Sequence, residues 1–207
     1  MDSKEKKHLR ETLKSLFSEI AKKSDYEEIL KEIDDLLTEN PTNNQDNEIF
    51  LASLKRSVHD TKTSKDRKQR EWAILSMAYF LWKYESTYLL CVDTVCRLLI
   101  ITGHDLFDPV KRQFAESIEE ISEVDISTKQ KFLERHNFGT VTNSKYQKIR
   151  NKIAHHDYFF DENQRLHIGG ELVEITTLHS DFLGFASVIF TEICNKVSAS
   201  SEQLAKT

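Results

Sequence analysis

From Trp72 to Thr102 the chain runs without a glycine or a proline. Its apolar residues, among them Ala73, Leu75, Tyr79, Phe80, Trp82, Leu89, Leu90, Val92, Val95, Cys96, Leu99 and Ile100, cover more than one side of a helix. Such a helix must be surrounded, either inside a bundle or at a dimer interface. This element limits the fold more than any other. The segment from Tyr88 to Gly103 is too short for a membrane span and carries Asp93 and Arg97, so it reads as a buried helix. Asp93 and Arg97 stand four apart and are expected to pair as a structural ion pair. Gly103 supplies the left-handed residue that ends the helix.

The flanking segments read as helices too. Leu9, Leu13, Leu16, Phe17 and Ile20 fall on one helical stripe. Ser24 and Glu27 have capping-box spacing before a second helix with Ile29, Leu30, Ile33, Leu36 and Leu37 inward. A third helix is expected near Asn47, through Ile49, Phe50, Leu54 and Val58. Asp108 and Pro109 read as the N-cap and first position of another helix. A shorter one covers residues 125–138, and Leu178 to Val197 closes the bundle with Leu183, Ala186, Val188, Ile189, Ile193 and Val197 inward. Asn143 or Ser144 caps the helix that follows the loop at 139–144. Gly169-Gly170 sits between two β-prone runs, a hairpin signal. The chain holds only two prolines and five glycines, fewer than a turn-rich sheet protein uses. The expected fold class is all-α: a helical bundle with a small β-hairpin insert near the C-terminus and an N-terminal helical extension. The expected division is an N-terminal helical segment at 1–60, a basic linker at 61–71, a helical domain at 72–197 and a flexible tail at 198–207.

Charge and cysteine usage narrow the function classes. A net charge of -5 gives no general attraction to nucleic acid, so binding would need a local patch. One candidate patch lies between Lys55 and Arg70, where seven Lys or Arg stand against two Asp. It includes Lys55, Arg56, Lys65, Arg67, Lys68 and Arg70. It reads either as an RNA-backbone contact or as a solvated hinge. Cys91, Cys96 and Cys194 form no paired spacing and read as reduced thiols in a cytoplasmic protein. The charged start, with no apolar run behind it, reads as lacking a secretory signal. His104, His155, His156, His167 and His179 show no metal-ligand spacing, so neither a metal nor a cofactor is expected.

The chemistry concentrates between Tyr146 and Phe160, YQKIRNKIAHHDYFF. At about 100° per residue, Tyr146, Ile149 and Ile153 form a core stripe. Arg150, Asn151, Ala154 and His155 form a polar face, and His156 falls at the edge of the core. Asn151 lies one turn below His155 and is placed to fix its tautomer. By itself this pattern is also that of a helix end with a basic cap.

The run RNKIAHH resembles the R-x4-6-H motif of HEPN domains. Arg150 is followed by a polar Asn151, and then by His155 at x4 and His156 at x5. The resemblance covers about Trp72 to Val197; the first sixty residues lie outside it. It implies a HEPN-like bundle and metal-independent RNA cleavage by 2′-OH attack, leaving a 2′,3′-cyclic phosphate. Arg150, Asn151 and His155 would then be catalytic. His156 and Tyr158 are secondary candidates, and Lys152 is a further candidate for touching RNA. A homodimer would bring two motifs to one cleft. A role as a toxin or anti-phage effector follows, with an antitoxin or regulatory protein as a further partner and no membrane. Tyr158 has the spacing of the tyrosine in nucleotide-silenced toxins only when counted from His156. The alternative is a non-catalytic HEPN-like dimerisation or regulatory module.

Overall fold

The computed structural model describes residues 2–23, 25–38, 56, 69–142, 144–163, 165–174, 184 and 186–196. In chain order the elements are α1 (Ser3–Ile20), α2 (Tyr26–Thr38), α3 (Gln69–Lys83), a π-helical segment (Tyr84–Tyr88), α4 (Leu89–Ile101), β1 (Leu106–Asp108), β2 (Gln113–Ala115), α5 (Ile118–Glu123), α6 (Ile126–Arg135), a 3-10 turn (Gly139–Val141), α7 (Ser144–Ala154), β3 (Tyr158–Phe160), β4 (Leu166–Ile168) and β5 (Glu171–Leu172). Residues 186–196 are helical as well. The described residues are thus mostly helical, with two small antiparallel sheets. None of their helices is long and apolar enough to cross a membrane. The expected helix near Asn47, the capping role of Ser24 and that of Asn143 lie outside the described residues, as do Leu183 and Val197.

The chain forms two compact units that interleave along the sequence. One comprises residues 1–40, 89–142 and 183–207; the other comprises 41–88 and 143–182.

In the first unit the stripe Leu9, Leu13, Leu16, Phe17 and Ile20 of α1 is buried, as its spacing predicts. Asp2 caps α1, accepting from the Lys4 and Glu5 amides while Glu5 reaches back to the Asp2 amide. Ala186, Val188, Ile189 and Ile193 are buried on the closing helix.

The sequence reading of Asp93 and Arg97 needs correction. The Lys129 ammonium donates to the Asp93 carboxylate at 2.7 Å, with both side chains largely buried. Arg97 instead donates to Glu32 of α2, through Nη2 at 2.9 Å, and to the Glu116 carbonyl. Both residues face elements packed on α4, so each finds a partner from another segment.

The segment after Gly103 also departs from expectation. Asp108 and Pro109 do not open a helix. Residues 109–112 form the turn of the β1–β2 hairpin, in which Leu106 pairs with Ala115 and Phe107 with Phe114. The Asp108 carboxylate accepts from the Val110 and Lys111 amides, and Arg112 takes φ 56° to close the turn. Asp-Pro initiates turns as readily as it starts helices. The helix begins later, at Ile118, behind a Ser117–Glu120 capping box. The described residues are mostly helical, as expected, but carry this second small antiparallel sheet besides the expected hairpin.

In the second unit the long apolar run is not one regular α-helix. Tyr84–Tyr88 is wound as a π-helix, which inserts a residue into the turn. An aromatic ladder runs along this segment. The Phe80 and Tyr84 rings lie 6.5 Å apart, Tyr84 and Tyr88 4.9 Å, and Tyr88 meets Tyr146 of α7 edge-on at 5.9 Å. Tyr88 is fully buried. The Gly169-Gly170 hairpin forms, with both glycines at positive φ. A third strand, β3, adds to it, giving the order β3-β4-β5. Leu166 and Ile168 are buried on one face of this sheet.

Candidate functional site

Helix α7 carries the candidate residues. Its core stripe is the expected one: Tyr146, Ile149 and Ile153 are all buried. Arg150 is half-buried, and Asn151, Ala154 and His155 are exposed. The polar face therefore opens to solvent as the helical wheel predicts.

The helix stops at Ala154, before either histidine. The His156 amide donates to the Ile153 carbonyl at 3.0 Å, and the Asp157 amide to the Lys152 carbonyl at 2.8 Å. These two bonds with a left-handed residue between them form a Schellman motif. His156 is that residue, at φ 57°. Two other helices end in the same way. Gly103 ends α4 at φ 95°, and Asn137 ends α6 at φ 66°.

The expectation that His156 packs at the core edge is corrected by this geometry. The reversal takes it off the helical course, and it is exposed, with its ring 6.4 Å from that of Tyr158. His155 sits at the C-cap. Its amide donates to the Asn151 carbonyl at 2.9 Å, and its ring makes no hydrogen bond among the described residues.

Arg150 is held by a residue that the sequence did not single out. Its Nε and Nη2 donate to one oxygen of Glu85, at 2.9 and 2.6 Å. Glu85 belongs to the π-helical segment, 65 positions upstream. Arg150 Nη1 donates to the Asn151 amide oxygen at 3.3 Å. That oxygen is thus engaged by the arginine rather than by His155. Three of the five guanidinium N–H groups are used, and two remain for a ligand oxygen. The available signal for Glu85 was a lone carboxylate within an aromatic run.

The remaining candidates are more dispersed. Tyr158 opens β3 and is half-buried. Lys152 donates to the Gly169 carbonyl at 3.3 Å and lies 3.8 Å from the Asp157 carboxylate. It ties α7 to the hairpin, and a side chain at Gly169 would collide with it. Lys55, Lys65, Arg67 and Lys68 lie outside the described residues; Arg56 is exposed and Arg70 falls in the first turn of α3.

Among the described residues no group of three or more His, Cys, Asp or Glu is placed to hold a metal. The His104 and His136 rings lie with centres 4.1 Å apart and planes inclined at 43°. His167 pairs with Asp161, its Nε2 lying 3.2 Å from the carboxylate. His179 lies outside the described residues. Asp161 also accepts from the Asn163 and Arg165 amides and from Arg165 Nε. The Arg165 amide, followed by the His167 and Arg165 side chains, lowers its pKa to about 2.

No protein-family model, no curated protein and no solved structure matches this chain.

Proposed function

We propose that the chain is a metal-independent endoribonuclease of the HEPN type, working as a homodimer. The observation that carries this reading is that the last turns of α7 and its C-cap present a half-buried Arg150 beside an exposed Asn151 and His155. The reaction needs few groups. A base removes the proton from a ribose 2′-OH, and the oxygen attacks the adjacent phosphorus. The P–O5′ bond breaks, and an acid protonates the departing oxygen. The products are a 2′,3′-cyclic phosphate and a 5′-hydroxyl. Imidazole suits both proton transfers, because its pKa lies near neutrality. The two remaining guanidinium N–H groups suit the charge that grows on the phosphoryl oxygens. One chain offers one well-exposed imidazole on this face; a second copy supplies the other, across a shared cleft. On this reading the protein is a toxin or anti-phage effector acting on cytoplasmic RNA, held in check by an antitoxin or regulatory protein.

Incubating the pure protein with single-stranded RNA in EDTA tests the proposal. Fragments ending in cyclic phosphate support it. Intact RNA across all protein concentrations contradicts it.

One observation favours a second reading, a non-catalytic dimerisation or regulatory module. Arg150 already has a carboxylate partner, and nothing described orients the His155 ring. In that case Arg150→Ala and His155→Ala leave the biological effect intact, whereas substitutions that split the dimer abolish it.

A further inference from the structure

The outer face of the three-stranded sheet carries an aromatic layer that the reaction scheme does not use. Phe159, His167 and Leu172 are direct neighbours across β3, β4 and β5. By the alternation of strands they share one face, opposite the buried Leu166 and Ile168. Phe159 and Leu172 are 53% and 55% exposed. The Phe159 and His167 rings lie 4.8 Å apart and within 8° of parallel. Isolated aromatic pairs settle equally well edge to face. Here the register and the Asp161 anchor hold the imidazole flat, and Phe159 lies flat upon it.

We infer that Phe159, backed by His167, is a stacking platform for one base of a single-stranded RNA. The class of ligand rests on the ribonuclease reading, and four observations favour a base over a protein surface. First, a ring stacked on one face and still half exposed presents a flat apolar face, which is what an unpaired base requires. Second, among the described residues the apolar part of this face is one ring and one leucine, far below the area of a stable protein interface. Third, a cation stands beside it. Arg165 Nε is spent on Asp161, but its terminal nitrogens make no hydrogen bond among the described residues, and the side chain is half exposed. The Asp161 charge facing it is taken up by the hydrogen bonds of the turn. Fourth, Phe159 lies four residues beyond His155 in the same unit, a chain reach of at most about 14 Å. That is the span of one or two nucleotides of extended RNA. A phosphate at Arg150 and His155 therefore leaves a nearby base able to reach Phe159.

The test uses the full-length protein and a short oligoribonucleotide whose 2′-hydroxyls are methylated, so that binding is read without cleavage. Phe159→Ala is expected to weaken binding roughly tenfold, the size of one lost base–aromatic stack. Phe159→Tyr retains affinity, and Phe159→Trp gains a fluorescence that RNA quenches. An oligonucleotide carrying one abasic position, moved along the strand, has a position at which wild type loses affinity and Phe159→Ala loses no more. Equal binding by wild type and Phe159→Ala, with cleavage of unmodified RNA intact, overturns the platform and leaves the nuclease standing. Phe159-dependent binding with no cleavage of unmodified RNA supports the platform and removes the nuclease. If Phe159→Ala instead abolishes self-association of the chain and leaves RNA binding unchanged, the face is a protein contact and the inference fails.

Discussion

Arg150 reaches across its unit to Glu85 and places two nitrogens on a single carboxylate oxygen, at 2.9 and 2.6 Å. Both side chains are more than a third exposed, so the pair adds at most about 1 kcal/mol to stability. Its importance is for the site. The Glu85 carboxylate places a negative charge beside the two guanidinium N–H groups left for a phosphate, and so opposes its binding. Glu85→Gln is expected to leave the melting temperature within a few degrees of wild type and to tighten RNA binding several-fold. A binding isotherm beside a thermal melt checks both. Weaker binding at unchanged stability would mean that Glu85 positions the arginine rather than opposes the phosphate.

His156 occupies a conformation that costs a residue with a side chain about 1–2 kcal/mol. His156→Gly is expected to stabilise the protein by about 1 kcal/mol, seen as a higher urea midpoint with an unchanged slope. The same variant separates the two histidines. On the ribonuclease reading cleavage should persist, because His155, at the C-cap of α7, is the imidazole next to the Arg150–Asn151 face. Loss of cleavage would move the functional imidazole to His156.

Asp93 and Lys129 form an ion pair in the interior of their unit. Asp93→Asn strands a buried ammonium, and a loss of about 3–5 kcal/mol is expected in denaturant titrations. Lys129→Met should cost less. Burial already raises the Asp93 pKa, and Lys129 opposes that rise. Without the lysine, Asp93 takes up a proton more readily. Its folded pKa then lies above the unfolded value near 3.8. The associated stability is present in full below that value and is lost as pH rises through the folded pKa. Unfolding of Lys129→Met between about pH 4 and 8 measures the slope.

Asp161 behaves in the opposite sense. The Arg165 amide and the His167 and Arg165 side chains hold its pKa down to about 2. Its contribution to the β3–β4 turn is present above the ordinary carboxylate value and is lost as pH falls through about 2. Carboxyl carbon shifts followed by NMR should show this low titration, and Arg165→Ala together with His167→Ala should move it upward. A midpoint near 4 in wild type would contradict the hydrogen-bonded turn.

Local patterns carried much of the architecture. The stripe Leu9 to Ile20, the stripe Tyr146, Ile149 and Ile153, and the Gly169-Gly170 turn are short-range signals, and each forms as read. The failures share a physical cause, which is competition from distant partners or from an alternative use of the same residues. Asp108-Pro109 serves a turn because Phe107 and Phe114 can pair across it. Asp93 and Arg97 look like a pair until α2 and α6 bring Glu32 and Lys129. His156 was read on a wheel that the chain leaves one residue earlier. Glu85 sits 65 positions from Arg150, and no periodicity links residues that far apart. The polar face of α7 was legible, while the residue that holds its arginine was not.

On the proposed function, Arg150 and His155 cleave RNA without a metal. The most direct measurement is the single-turnover cleavage rate of a defined RNA in EDTA, for wild type, Arg150→Ala and His155→Ala at matched folded fractions. Measurable cleavage by wild type is expected, with a fall of about a hundredfold or more in each variant, the usual loss when a proton-transfer group or a charge-stabilising donor is removed. Equal rates in all three proteins, or no cleavage by any, would contradict the proposed function.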